Sequence, residues 1–99
     1  MNGPTSSSPL LQNAALERIE FPSRYPLKVL GRQHEAFEST VLELVKAHCP
    51  AATTIEISQR VSKKGKYVAL TLTFMAHSQQ QIKDIYLALY KCKQVVMSL

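Results

Sequence analysis

The chain has 99 residues, of which 45% are hydrophobic and 19% are charged, and it carries a formal net charge of +5. These values are typical of one ordinary globular domain, and no apolar run approaches the ~20 residues that a membrane-spanning helix needs. The N-terminus lacks a charged segment followed by an apolar block. We therefore predict no secretory signal, no membrane association and a cytoplasmic protein.

The N-terminal segment differs in composition from the rest of the chain. Residues 1–9 are mostly serine, proline and other small or polar residues without periodicity, which is typical of a flexible tail. The apolar residues between Leu10 and Ile19 allow either a short helix or an extended strap. We predict a flexible tail over residues 1–18, which can include a short helical segment, and a single domain over residues 19–99.

A change of period separates the first predicted strand from the first predicted helix. Leu27–Gly31 is predicted to be a strand that begins after Pro26 and ends at its glycine. From Gln33 to about Cys49 the apolar residues recur at helical spacing, and Pro50 ends that helix. Its predicted apolar stripe consists of Phe37, Val41, Leu44, Val45 and His48.

Two alternating runs in the second half of the chain predict a β-hairpin. Thr54–Ser58 and Tyr67–Ala76 alternate between the two sides, as strands with one buried face do. The basic segment Lys63–Lys66 joins them, and we expect Gly65 to adopt a positive φ in the turn. The residues predicted to face the core from the longer run are Val68, Leu70, Leu72 and Phe74.

The C-terminal part predicts a second helix and a fourth strand. Ser78 and Gln81 match the capping box, in which a serine at the N-cap is followed by glutamine three residues later. Val95–Leu99 is expected to form a strand at an edge of the sheet. The side chains predicted to face the core from this helix are Ile82, Ile85, Tyr86 and Leu89.

The element order β-α-β-β-α-β predicts a ferredoxin-like α+β fold. Right-handed crossovers place both helices on one face of a four-stranded antiparallel sheet with strand order 4-1-3-2. Because the helices run antiparallel, Cys49 and Cys92 are expected at opposite ends, roughly 20 Å apart at ~1.5 Å per helical residue. A disulfide cannot bridge that distance.

Three segments resemble the YbeD-like family of small bacterial proteins of unknown biochemical function. They are Phe-Pro-x-x-Tyr-Pro-Leu-Lys-Val-Leu-Gly at residues 21–31, Ser-Lys-Lys-Gly-Lys-Tyr-Val-Ala-Leu-Thr at residues 62–71, and Ile-Tyr-x-x-Leu at residues 85–89. The resemblance covers about residues 19–99. It implies a fold related to the ACT regulatory domain and a role as a lipoate-binding regulatory protein.

Residue types that carry catalysis or bind metals are not grouped in the predicted fold. A hydrolase triad needs a nucleophile, a base and an orienting carboxylate held together, but the only aspartate, Asp84, is predicted on the exposed side of the second helix. His48 and Cys49 are adjacent on a helix and diverge by ~100°, so they cannot share a metal ion. We predict a protein that is not an enzyme, with no catalytic residues, no metal and no cofactor.

The positive charge lies in the second half of the chain, where residues 51–99 hold seven basic and two acidic side chains. Its densest part is the hairpin, which can be an anion-binding patch or a solvated turn whose lysines discourage edge-to-edge aggregation. Nucleic-acid binding through this basic loop is the alternative function. It is the less favoured one, because Tyr67 is the one aromatic side chain expected on the uncovered face of the central hairpin strand, where RNA-recognition domains stack bases.

Two further places could bind a partner. In ACT-like domains the turn after the first strand approaches a small ligand, and Gly31 would permit that approach, or the glycine simply ends the strand. The sheet face without helices can meet a protein partner or a second copy in a homodimer, or it can remain solvated. The residues predicted on that face are Lys28, Glu56, Ser58, Arg60, Tyr67, Ala69, Thr71, Thr73 and Met75.

We therefore predict a non-enzymatic binding or regulatory module for a small acidic metabolite such as lipoate, or for a protein partner. The candidate ligand-binding residues are Lys28, Gly31, Arg32, Arg60, Lys63, Lys64, Gly65, Lys66 and Tyr67.

Overall fold

A computed structural model describes residues 18–99 of the chain. Four antiparallel strands form one sheet in the order β2-β3-β1-β4, which is the predicted order read from the opposite edge. The ferredoxin-like α+β fold is thus confirmed, whereas residues 1–17 of the predicted tail lie outside the described residues. The elements are β1 (Ser23–Arg32), α1 (Phe37–Lys46), β2 (Glu56–Val61), β3 (Tyr67–Ala76), α2 (Gln79–Lys91) and β4 (Val95–Ser98).

Strand β1 is longer at both ends than its apolar pattern predicts. It pairs with β3 over ten residues, from Ser23 opposite Ala76 to Arg32 opposite Tyr67, so the glycine at position 31 does not end the strand. Pro26, predicted at the start of the strand, lies inside it. The backbone N–H of Lys28 points toward β4, and the proline nitrogen two residues earlier faces the same side, beyond the end of β4. A proline is tolerated there because, among residues 18–99, no strand pairs with that side of position 26.

The two hairpin strands and the first helix also have bounds that depend on their neighbours. β2 runs over Glu56–Val61 rather than 54–58, because these residues pair with positions 68–73 of β3. The turn closes with a bond from the Gly65 N–H to the Ser62 carbonyl, and Gly65 has the expected positive φ of 74°. Helix α1 begins at Phe37 rather than residue 33, since the Phe37 N–H already donates to the His34 carbonyl in a preceding turn.

The core lies between the two helices and the face of the sheet that they cover. The four predicted β3 residues are at most 3% exposed, which confirms the predicted face of this strand. Gln81 at the start of α2 approaches Cys49 after α1, whereas Cys92 caps the other end of α2, so the two cysteines lie at opposite ends as predicted. Neither forms a disulfide within the described residues. The buried residues are Leu27, Val29, Phe37, Val41, Val45, Val68, Leu70, Leu72, Phe74, Ala76, Ile82, Ile85, Tyr86 and Leu89.

The start of α2 confirms the predicted cap and adds a connection to α1. The Ser78 hydroxyl accepts from the Gln81 N–H at 3.1 Å, and the Gln81 side chain accepts from the backbone N–H of His77 at 2.7 Å. The Gln81 amide also donates to the carbonyl of His48 at 3.0 Å. The Ser78 hydroxyl thereby caps α2, and the Gln81 side chain joins the start of α2 to the segment that follows α1. Neither helix in the described part of the chain is long and apolar enough to cross a bilayer.

Candidate functional site

The sheet face that the helices leave uncovered, here called the open face, brings together four of the predicted site residues. Alternate residues of each strand point to it, because side chains alternate along a strand. The register places them in rows across the sheet. The row nearest the hairpin turn pairs Tyr67 with Arg32, and a row further along contains Ser58, Thr71 and Lys28.

The row between these two crosses all four strands and forms a depression. Arg60 on β2, Ala69 on β3, Leu30 on β1 and Met97 on β4 are successive register partners. Ala69 is the smallest of the four, so the surface dips between its larger neighbours. We call this hollow of about 460 Å³ the apolar depression. Its lining residues are Lys28, Val29, Leu30, Ser58, Gln59, Arg60, Ala69, Leu70, Thr71, Met97 and Leu99.

The apolar depression combines an apolar base with positive charge at its margin. Met97 is 52% exposed and Leu99 is 48% exposed, so both side chains offer apolar surface to a ligand. Lys28 on β1 lies opposite Leu99, Arg60 on β2 stands at the far end of the row, and none of the described side chains that line the depression is acidic. Its volume falls in the range of small-molecule sites, about 300–1,000 Å³.

A second hollow of about 280 Å³ adjoins the first toward the hairpin turn. It shares Leu30, Arg60 and Ala69 with the apolar depression, and we call it the basic depression. Tyr67, 37% exposed, stands at its end, and the Tyr67 N–H donates to the Ser62 hydroxyl at 3.1 Å. The residues that it adds are Val61, Ser62, Lys63 and Tyr67.

At the opposite end of the open face, the charged side chains form an ion pair. Arg24 on β1 reaches across β3 to Glu56 on β2, and their side chains are 64% and 60% exposed. Such an exposed ion pair contributes little stability, at most about 1 kcal/mol. It does neutralise the charge at this end. The cations of the open face outside this pair are Lys28, Arg32 and Arg60.

The predicted site residues divide into three groups. Four of them, Lys28, Arg32, Arg60 and Tyr67, share the open face. Lys63 lines the basic depression, and its neighbours Lys64, Gly65 and Lys66 are exposed in the turn. Gly31 is separate from both groups.

Gly31 lies on the covered face, where it is buried. A Cβ atom there would overlap the ring of Phe37 and would lie 2.6 Å from the carbonyl oxygen of Gln94. Close packing of the Phe37 ring is thus a sufficient reason for a glycine at this position. We leave it out of the candidate site.

The prediction of the open face omitted its apolar members Leu30, Met97 and Leu99. A signal for the first was present, since Leu30 follows Lys28 by two residues and therefore shares its face. The two β4 residues had no such signal, because only the pairing of Leu30 with Met97 sets the register of that strand.

The cysteine and tyrosine side chains described next lie away from the open face and form hydrogen bonds within the protein. Burial raises the pKa of the Cys49 thiol, and its hydrogen bond from Gln81 lowers the pKa by a smaller amount, so the thiol is protonated at neutral pH. The hydroxyls of Tyr25 and Tyr86 share a hydrogen bond of 2.8 Å. Within residues 18–99, no three His, Cys, Asp or Glu side chains are close enough to hold a metal ion.

The fold and this open face define a small ferredoxin-like domain with an uncovered, basic sheet surface. A family model described as "Protein of unknown function (DUF493)" matches residues 17–99. The chain therefore belongs to this family of proteins of unknown function, in agreement with its YbeD-like sequence.

Relatives of similar length carry a name that assigns no reaction. A UPF0250 protein of Chromobacterium violaceum is 44% identical over 73 residues, which cover 74% of this chain and 82% of the relative. A UPF0250 protein of Neisseria gonorrhoeae is 44% identical over 71 residues, which cover 72% of this chain and 78% of the relative.

The solution structure of protein HP0495 from H. pylori has the same fold. It superposes with a TM-score of 0.65 at 20% sequence identity and covers 82% of this chain and 85% of that chain. At this level of identity the likeness concerns the fold alone.

Proposed function

We propose that the protein is a non-enzymatic binding or regulatory module whose open face binds a small amphiphilic acid such as lipoate. The observation that carries the proposal is the apolar depression, where Leu30, Ala69 and Met97 form an apolar base, with Arg60 at its β2 end and Lys28 beside Leu30 on β1. A ligand with an apolar chain and one carboxylate matches both parts. The chain would cover Met97 and Leu99, and the carboxylate would pair with Arg60 or Lys28.

The chemistry of the lining residues supports binding rather than catalysis. The described side chains that line the two depressions include no carboxylate, imidazole or thiol. These are the groups that most often act as general bases or activated nucleophiles at neutral pH. Cationic and apolar side chains can hold a ligand without transforming it.

The charge of the open face also favours an acidic ligand over a second copy of the chain. A face-to-face homodimer would bring the cations of two identical surfaces together around Lys28, Arg32 and Arg60. Like charges opposed across an interface are unfavourable. A homodimer through this face is therefore a weaker proposal than an anionic ligand.

The proposal predicts that lipoate and octanoate bind, whereas the neutral octanamide binds more weakly. Arg60→Gln should weaken the binding of the acids about two- to fivefold, the value of a partly exposed ion pair of ~0.5–1 kcal/mol. Ala69→Glu should abolish it, because a carboxylate would then occupy the depression. Titrations followed by chemical shifts of Ala69, Thr71 and the Met97 methyl group measure these effects.

Lys46→Gln is the matched control, since Lys46 is an exposed cation in the last turn of α1. It should leave the affinity unchanged. Shifts that are absent at millimolar acid, or that respond equally to both variants, would refute the proposed site.

Nucleic-acid binding is the second candidate, favoured by the position of the hairpin lysines next to Arg32 and Arg60 at one end of the open face. A phosphate-driven complex must weaken as salt increases. We expect a single-stranded oligonucleotide, if it binds, to lose affinity steeply between 50 and 200 mM salt, as phosphate contacts require. Affinity that is independent of salt over this range would contradict this candidate.

A further inference from the structure

We propose that the ligand of the open face is an acyl chain joined to a phosphorylated head group that contains an aromatic base, so that both depressions are filled by one molecule. The inference rests on the proposed function, because the apolar depression is taken as the site of the chain. It adds a role for the basic depression, which a free acid would leave empty.

The two depressions are continuous. Leu30, Arg60 and Ala69 line both of them, so the boundary is one shared row of the sheet rather than a wall. Together they form one groove, here called the groove. From Thr71 to Tyr67 it follows β3 for four residues, which is about 13 Å at the rise of a strand. A free acid whose carboxylate lies at the edge of the apolar depression would leave the part of the groove next to Tyr67 unfilled.

The number of cations at the basic end fits a head group with several negative charges. Arg60 and Lys63 line the basic depression, and Arg32 lies beside it as the register partner of Tyr67. A single carboxylate can pair with one of these side chains. Phosphate groups offer more acceptor oxygens and more charge, and arginine and lysine are the side chains that bind them.

The acidic side chains that follow β1 do not compensate these cations on the open face. Glu35 and Glu38 line a different cavity, which includes Phe37 and Val68 and therefore lies on the covered face. The sheet thus separates the acidic start of α1 from the basic depression.

Tyr67 supplies the contact for an aromatic base. It is held in the first position of β3 by pairing with Arg32, and its exposed ring borders the basic depression. Aromatic side chains and arginine planes on an open sheet surface stack on bases. An acyl chain joined to a nucleotide head group therefore matches the groove along its whole length, with the chain in the apolar depression and the head group in the basic depression.

The test compares three probes with the full chain: octanoate, coenzyme A and octanoyl-coenzyme A. Isothermal titration and chemical-shift mapping measure each affinity and its location. We expect octanoyl-coenzyme A to bind at least about tenfold more tightly than either part, which is within the gain of one base stack. Shifts should appear at Met97 and at Tyr67 with the thioester, but at Met97 alone with octanoate.

Two variants assign that gain to the basic depression. Lys63→Gln and Tyr67→Ala change exposed positions, and each should lower the affinity for octanoyl-coenzyme A while leaving that for octanoate unchanged. Lys46→Gln on α1 is again the control and should change neither affinity.

The outcomes separate this inference from the proposed function. Equal affinities for octanoate and octanoyl-coenzyme A would overturn the inference and leave the proposed function intact. Failure of octanoate to bind, together with equal affinities for coenzyme A and its thioester, would overturn both. A single-stranded oligonucleotide that displaces octanoyl-coenzyme A and binds more tightly would assign the groove to nucleic acid and also overturn the inference.

Discussion

Replacing Gly31 with alanine is expected to lower the free energy of unfolding by about 3 kcal/mol, the upper end of the range for overpacked cores. The added methyl group would overlap the ring of Phe37, which is 1% exposed, and would lie 2.6 Å from the Gln94 carbonyl. The ring has no solvent-exposed position to occupy, and the carbonyl belongs to the backbone before β4. Urea denaturation followed by circular dichroism measures the change.

Gly65→Ala is the matched control for this prediction. No atom lies within 4 Å of a Cβ placed at Gly65, so its only penalty is the positive φ of 74°, about 1 kcal/mol. In a Phe37→Ala background, where the ring is gone, Gly31→Ala should cost less than it does in the parent chain. If Gly31→Ala proves as stable as the parent chain, the covered face at Gly31 has free space and the ligand role predicted for this glycine gains support.

The free energy of unfolding is also expected to fall steeply above pH 10 because of Tyr25 and Tyr86. Burial is the main cause that raises the pKa of both phenols, and for Tyr86 the hydrogen bond to Tyr25 and the charge of Tyr25 raise the pKa further. In the unfolded chain both phenols ionise near pH 10. Between that value and the higher folded pKa, the unfolded state binds fewer protons, so the stability present below pH 10 is lost as the pH rises.

The expected slope is about 1.4 kcal/mol per pH unit for each tyrosine that stays neutral only in the folded state. Tyr86→Phe should reduce the slope of the free energy against pH in urea titrations. Tyr90→Phe is the control, because Tyr90 is 63% exposed and its removal should leave the slope unchanged. Identical slopes in the two variants would contradict the assignment to the buried pair.

The same pair makes a prediction at neutral pH. Tyr25→Phe leaves the hydroxyl of Tyr86 buried without its partner at 2.8 Å, which costs about 1–3 kcal/mol. Adding Tyr86→Phe removes the unpaired group and should recover most of that loss. The double variant is therefore expected to be more stable than Tyr25→Phe alone.

Local patterns were sufficient where an element depends on its own residues. Tyr67–Ala76 was predicted with the observed bounds, because strict alternation over ten residues specifies both the strand and its buried face. The cap at Ser78 was likewise visible, since its bond to Gln81 joins residues three apart in the chain.

Elements whose limits depend on a distant partner were predicted less well. β1 begins at Ser23 because Ala76 pairs with it, and nothing in the segment around Pro26 encodes that contact. The glycine at position 31 was interpreted as a strand end or a ligand contact, yet its absent side chain makes room for Phe37. Packing partners that are remote along the chain cannot be deduced from the spacing of nearby residues.

From the amino-acid order alone, the ferredoxin-like topology, the covered side of the sheet and the basic hairpin were all accessible, because periodicity and turn chemistry are local properties. The groove was not. Arg60, Ala69, Leu30 and Met97 come from four strands, and they meet in one row only through the register between those strands. Register is set by non-local pairing and by the filling of the core, so the site that we propose exists only in the folded molecule.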